Sequence, residues 1–350
     1  MKEYATKIVN WYEQNKRFLP WRESQTPYHV WISEIMLQQT RIEAVKKYYQ
    51  RFIQEIPDIQ TLANVDDDKL LKLWEGLGYY SRAKNLKKAA MQIMNEYQGT
   101  FPTTYVEILK LPGIGEYTAS AIASICFGEK QITIDGNVLR IYARINNDNR
   151  PIDDIRVKNN IREELLKIVP DASGSFNQGL MEIGETICLP KGEPKCHICP
   201  LKEICEANHK RTYQSLPVKL PKKEKKEEYY TIILFHFQEK YAIYKRSNET
   251  LLNNLWSFPT ITSNKSALEL KEYLKENKIA YKRIIPSITN CHIFTHKKWQ
   301  MISYLVELES INNLENYQFA SLEELIKNYC IPSAYQPFLK ELKRNDRNKK

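Results

Sequence analysis

The chain has 350 residues, 42% of them hydrophobic and 27% charged, with 52 Lys and Arg against 42 Asp and Glu, a formal net charge of +10 and a pI of about 9.0. That length is enough for two or three domains, each with a real core, and the composition is that of a soluble globular protein with a polyanionic partner. No apolar run approaches membrane-span length and no apolar stretch follows the opening MKEYATKIVN, so a membrane partner and a secretory signal are not expected; the protein reads as intracellular, with reduced thiols rather than a disulfide framework.

From residue 1 to about 187 the pattern is one of helices joined by short Pro/Gly turns. Helical periodicity covers 28–55, 67–75, 81–97, 116–127, 136–147, 154–168 and 176–187. Cysteines crowd into 188–205. Residues 216–228, LPVKLPKKEKKEE, are rich in Pro and charge and read as a linker. Beyond it YYTIILFHF and YAIYKRS are β-branched and aromatic, as strands are, 265–277 looks helical, and strand-like runs return over 284–308. The last eleven residues, KELKRNDRNKK, read as a solvated, frayed tail. The expected organisation is an all-α region over 1–215, the linker at 216–228, and a smaller α+β domain over 229–350.

Within 104–127, TYVEILKLPGIGEYTASAIASICF, a helical stretch runs into Leu-Pro-Gly-Ile-Gly and a second helix starts at once. Gly113 and Gly115 permit a sharp turn, and the free N–H groups at the second helix's start suit one DNA phosphate without reading a base. Eighteen residues after Tyr117 comes the aspartate of IDGN.

Cys188, Cys196, Cys199 and Cys205 have seven, two and five residues between them, which points to a metal site, zinc or a [4Fe–4S] cluster. Zinc ribbons show two separated Cys-x-x-Cys pairs; here there is one, and the spacing favours iron–sulfur. Lys191, Lys195, Lys202, Lys210 and Arg211 make the loop basic, which suits contact with a nucleic-acid backbone. Cys126, Cys291 and Cys330 read as small buried hydrophobes.

Glu34 lies in YHVWISEIMLQQT, and helical spacing puts Val30, Trp31, Leu37 and Gln38 on its face. A carboxyl on an apolar face has a raised pKa and can donate a proton, and Gln38, Gln39 and Thr40 beside it form a polar rim. Asp135 precedes the helix GNVLRIY; taken alone it reads as an N-cap.

The segments LPWR (19–22), VWISEIMLQQT (30–40), WEGLGYYSRA (74–83), LPGIGEYTASAI (111–122), IDGNVLR (134–140), the cysteine loop and IFTHKKW (293–299) together resemble the MutY family of adenine-DNA glycosylases, in the helix-hairpin-helix superfamily, over nearly the whole chain. The resemblance implies an all-α helix-hairpin-helix glycosylase region in two lobes with an iron–sulfur loop, followed by an α+β Nudix-like domain. One lobe would hold the helices from about 28 to 134, and the other the N-terminal helix with those after 135. The implied partner is double-stranded DNA carrying adenine opposite 8-oxoguanine or guanine, with the adenine flipped out of the duplex and the enzyme acting as a monomer. Breaking the N-glycosidic bond needs an acid on the leaving group and a carboxylate near the sugar. Glu34 would protonate the adenine and later assist water, Asp135 would stabilise the oxocarbenium ion, and Tyr117 and Asn137 would orient them. Leu19, Trp21 and Arg22 would line the adenine pocket and DNA contact, Gln39 and Tyr79 would fill or wedge the space around the orphan base with Thr40 on the rim, and Gly113 and Gly115 would grip phosphate. Cys188, Cys196, Cys199 and Cys205 would ligate a [4Fe–4S] cluster, and Phe294, Thr295 and His296 would form the tip that recognises 8-oxoguanine.

Bifunctional relatives carry a lysine where this chain has Tyr117, so a monofunctional enzyme leaving an intact abasic site is expected. The chain departs from the family pattern twice: seven residues rather than six separate the first two cluster cysteines, and Thr295 stands where the family has Ser. KSALELKEYLKEN lacks the Gly-x5-Glu-x7-Arg-Glu box, so pyrophosphatase activity is not expected. The competing readings are an endonuclease III-like glycosylase and lyase, a non-catalytic iron–sulfur DNA-binding module, and a zinc-dependent DNA-binding protein.

Overall fold

The computed structural model describes residues 2–221, 224–247 and 251–347. The chain forms two units, one of Met1–Val65 with Lys84–Lys222 and one of Asp66–Ala83 with Lys223–Lys350. The helices in chain order are α1 (Lys2–Asn15), α2 (Pro20–Glu23), α3 (Pro27–Leu37), α4 (Ile42–Glu55), α5 (Ile59–Asn64), α6 (Asp67–Leu73), α7 (Ser81–Glu96), α8 (Tyr105–Ile108), α9 (Glu116–Phe127), α10 (Gly136–Ile145), α11 (Ile155–Leu166), α12 (Ser173–Thr186) and α13 (Glu206–His209). Polar caps set several starts. Thr26 accepts from His29 N ahead of Pro27, and Asp58, Asp66 and Asp154 accept from Thr61, Lys69 and Arg156.

The expected helix over 28–55 is two helices. The break falls at Gln39, whose φ of 59° is left-handed and cannot continue an α-helix. In the later part of the first unit, Tyr4, Ala5 and Ile8 of α1 share one buried core with Val138 and Ile141 of α10, Ile161 of α11 and Phe176 and Leu180 of α12. The N-terminal helix therefore completes its packing with elements more than a hundred residues away. Leu216, at the head of the expected linker, is buried, and its carbonyl accepts from Arg144 Nε at 3.1 Å; residues 222 and 223 lie outside the described residues.

The second unit is built on a mixed sheet of β1 (Lys226–Phe237), β2 (Lys240–Lys245), β3 (Trp256–Ser257), β4 (Thr260–Ile261), β5 (Tyr281–Ile293), β6 (Lys297–Leu308) and β7 (Gln318–Ser321). The order is β3-β2-β1-β6-β5, with β4 on β1, β7 on β2, and β1 parallel to β6 from Lys226↔Lys297 to His236↔Glu307. Alternation along β1 feeds two cores. Ile232 and Leu234 face the side covered by α16 (Gln336–Arg347), while Ile233 and Phe235 face Leu270 and Leu274 of α14 (Ala267–Glu276). The remaining helix is α15 (Leu322–Lys327).

Two expectations are corrected here. The stretch 340–347 is not a frayed tail but most of α16, because Phe338, Leu339 and Leu342 recur at helical spacing and are buried; residues 348–350 lie outside the described residues. Of the scattered cysteines only Cys330 is buried. Cys126 is half-buried, and Cys291 is exposed on β5, at the end of the sheet order. No helix among the described residues is long and apolar enough to cross a membrane. Leu342→Ala should therefore destabilise the protein by about 2–5 kcal/mol, as for other buried leucines, whereas a frayed tail would give no change in urea unfolding.

Candidate active site

Glu34 sits on α3, and its residue is 7% exposed. Val30, Ser33 and Leu37 of the same helix line a cavity with it; Trp31, expected on that face, is instead fully buried and stacks edge-on against Phe101 at 5.5 Å. Gln38 also turns elsewhere, with Nε2 3.4 Å from Thr118 Oγ1. The cavity, of about 750 Å³, lies within the first unit. Leu19, Trp21, Arg22, Gln39, Thr40, Tyr117, Asp135 and Asn137 also line it, so it gathers sequence-predicted residues from three distant stretches of chain.

The two carboxylates differ in their donors. Glu34 Oε2 is buried with no hydrogen-bond partner. Burial pushes the Glu34 carboxyl up to about 7, the neighbouring Tyr117 hydroxyl and the Arg22 charge oppose the rise, and Asp135 adds to it. Asp135 caps α10: its Oδ1 accepts from Val138 N at 2.8 Å and its Oδ2 from Asn137 Nδ2 at 2.9 Å. Burial raises Asp135 as well, but these donors and the Arg140 guanidinium pull the other way. Glu34 is thus built to hold a proton, and Asp135 is equipped to carry charge.

Tyr117 stands one residue into α9, beside Glu34, with its hydroxyl 3.1 Å from Met181 Sδ. Burial and the two carboxylates hold its pKa well above the ordinary value, so the hydroxyl stays protonated.

Asn137 also donates to Glu185 at 3.3 Å, and its Oδ1 accepts from Arg140 Nη2 at 2.8 Å. Its place depends on Gly184 of α12. A Cβ there would stand 2.5 Å from Asn137 Cβ, so α10 and α12 approach as closely as they do only without a side chain.

Sequence reasoning missed the face that α12 presents to the cavity: Gln178, Met181, Glu182 and Glu185. Glu182 is 2% exposed and holds Arg17 and, at 2.9 Å, Arg22, whose guanidinium also lies over the Tyr12 ring. Gln178 Oε1 accepts from the Tyr12 hydroxyl at 2.8 Å. The signal was there: 178, 182 and 185 recur at helical spacing in FNQGLMEIGET as a polar stripe on a helix otherwise buried in a core.

The hairpin forms as its residues suggest. Gly113 has φ 76° and would drive a Cβ to within 2.5 Å of Asn85 Cβ, while Gly115 caps α9 with no side-chain acceptor. Tyr79, Phe294, Thr295 and His296 belong to the second unit; Thr295 lies in the turn between β5 and β6, with the Tyr79 hydroxyl 2.5 Å from its Oγ1.

No group of three or more His, Cys, Asp or Glu side chains that would hold a metal ion is found among the described residues. Cys188, Cys196, Cys199 and Cys205 nevertheless line one small pocket together with Arg144, whose Nη1 lies 3.3 Å from Cys188 Sγ. Four cysteine sulfurs lining one space beside a guanidinium are a donor set whose chemistry fits a thiolate-bound metal group.

Residues 32–170 match the HhH-GPD superfamily of base excision DNA repair proteins and residues 230–341 match the NUDIX domain. The chain is 36% identical over 328 residues to an adenine DNA glycosylase of Buchnera aphidicola subsp. Schizaphis graminum, with 93% of each chain covered. It belongs to the adenine DNA glycosylase family. Its counterpart in Buchnera aphidicola subsp. Acyrthosiphon pisum is 34% identical over 347 residues, covering 98% of each. Among solved structures, a thermostable thymine-DNA glycosylase aligns with a TM-score of 0.53 and 28% identity over 60% of this chain and 97% of its own. Family membership makes the chain a base-excision DNA glycosylase and its partner DNA. Gly184→Ala should separate α10 from α12, costing about 1–3 kcal/mol of stability as overpacking does, and should slow single-turnover base release because Asn137 moves with α10.

Proposed function

We propose that this enzyme removes adenine paired with 8-oxoguanine or guanine in duplex DNA by hydrolysing its N-glycosidic bond, leaving the strand intact. The observation that carries the proposal is the buried Glu34 carboxyl, one oxygen without a donor, in the same cavity as a well-donated Asp135.

With adenine flipped into the cavity, Glu34 donates its proton to a ring nitrogen of the base. The bond between sugar and base breaks, its electron pair leaves with the adenine, and positive charge grows on the sugar. The Asp135 carboxylate stabilises that charge from its cap position. Water then adds to the sugar carbon and returns a proton to Glu34. Asn137 holds Asp135 through its amide, and Tyr117 beside Glu34 supplies a neutral hydroxyl. A phenol in place of an amine forms no Schiff base, so no strand cleavage follows.

Leu19, Trp21 and Arg22 frame the base, with Gln39 and Thr40 at the rim of the same cavity. The turn carrying Phe294, Thr295 and His296 recognises the opposite 8-oxoguanine, with Tyr79 beside it. Gly113 and Gly115 present α9 N–H groups to a phosphate. Cys188, Cys196, Cys199 and Cys205 hold a [4Fe–4S] cluster that stiffens the basic loop, and the enzyme works as an intracellular monomer.

Single-turnover assays on a duplex with adenine opposite 8-oxoguanine should yield cut strands only after hot alkali; cleavage without alkali sinks the monofunctional reading. The rate should fall as pH rises through about 7, roughly tenfold per unit once the acid ionises, and Glu34→Gln should release no base while still binding the duplex. Purified protein should be yellow-brown, absorbing near roughly 400 nm as thiolate-ligated iron–sulfur does, and removing the iron should weaken duplex binding; colourless protein holding zinc would refute the cluster.

A further inference from the structure

Residues 66–83 interrupt the first unit in sequence but pack with the second. The attachment converges on Glu75. Its Oε1 accepts from the Ile331 backbone N at 3.0 Å and from Gln336 Nε2 at 3.1 Å, and its Oε2 from Lys72 Nζ at 2.6 Å. Lys72 also donates to the Tyr329 carbonyl at 3.0 Å, and the buried Cys330 thiol donates to the Leu71 carbonyl at 3.1 Å.

From that anchor the backbone runs four residues to Tyr79 through a stiff loop. Gly76, Gly78 and Tyr79 all have left-handed φ, of 102°, 70° and 47°. The Trp74 indole donates to the Gly78 carbonyl at 3.1 Å, Arg82 Nη2 donates to the Leu77 and Gly78 carbonyls, and the Arg82 guanidinium lies over both the Trp74 and Tyr79 rings. At the far end the Tyr79 ring, 47% exposed, places its hydroxyl 2.5 Å from Thr295 Oγ1. An exposed ring held this firmly presents an edge rather than filling a core.

We propose that Glu75 is a positioning residue for recognition of the base opposite the adenine. By fixing 66–83 to the 329–336 segment, it sets Tyr79 and Thr295 as one rigid reading edge. The inference rests on the adenine-excision reading above and adds to it a residue that touches neither DNA nor the reacting atoms. The carboxylate's acceptor oxygen matters because the Ile331 N–H and the Gln336 amide both donate to it at a half-buried site.

The test compares parent, Glu75→Ala and Glu75→Gln by single-turnover base release from duplexes with adenine opposite 8-oxoguanine and opposite guanine. Amide hydrogen exchange over 76–82 and 294–297 is measured on the same proteins without DNA. For Glu75→Ala, exchange should quicken in both segments and the preference for 8-oxoguanine should fall roughly tenfold, the size of one lost charge-assisted hydrogen bond. Release opposite guanine should stay within about twofold, since the cavity lies in the other unit. Glu75→Gln, which keeps an acceptor for Ile331 N, should retain most of the preference. Equal losses on both duplexes mean a merely structural role and overturn the proposal, as does unchanged exchange. A parent that releases no adenine from either duplex overturns the excision reading itself, and that outcome is seen before any variant is compared.

Discussion

A carboxyl buried with one oxygen beyond the reach of any donor is the constraint on which the catalytic unit depends. Ionising Glu34 there would strip a charge of water without replacing it, so the neutral acid persists to about pH 7. The break after α3 at Gln39 and the apolar wall of Val30 and Leu37 keep that environment intact. A donor placed within reach of Oε2 would favour the ionised form and lower the pKa of the acid. Asp135, in the wall of the same cavity, is raised by burial too, but it has the donors that Glu34 Oε2 lacks. Its cap position supplies a backbone N–H that no burial can withdraw, and the same helix supplies the Asn137 amide.

Helix α12 carries the other half of the site. It lends Gly184 to the α10 contact and Glu182 to the two arginines at the cavity wall. A nearly inaccessible carboxylate between two guanidiniums is held below its ordinary pKa by them despite its burial. It stays charged while Glu34 stays neutral. Two glutamates lining one cavity thus take opposite charge states because one has cationic donors and the other has none.

The second unit shows that sequence continuity and packing need not coincide. Residues 66–83 leave the helical region and return to it, yet their hydrogen bonds through Lys72, Glu75 and Leu71 go to 329–336. The Tyr79 hydroxyl and the Thr295 turn are brought within hydrogen-bond distance across 216 residues of sequence.

Periods of 3.6 and 2 in the residue order mark the helical and mixed α+β halves, and Gly113 and Gly115 mark the hairpin. The sequence marked Glu34 because a carboxylate in an apolar helix stands out locally, and the four clustered cysteines likewise, while Asp135 alone read as an N-cap and took its site role from the family resemblance. Tertiary structure decided the rest. Whether Trp31 or Ser33 faces the cavity beside Glu34 depends on which neighbours fill each side of α3, and the apolar pattern around α3 does not choose. The basic end of the chain looked solvated because Lys and Arg dominate its composition, while Leu342 within it joins Phe338 and Leu339 in covering a sheet face. The roles of Glu182 and Glu75 depend on donors that sit 160 and 256 residues away in sequence. Local chemistry is written in the order of residues; the partners that set a carboxyl's charge are chosen only when distant segments close upon it.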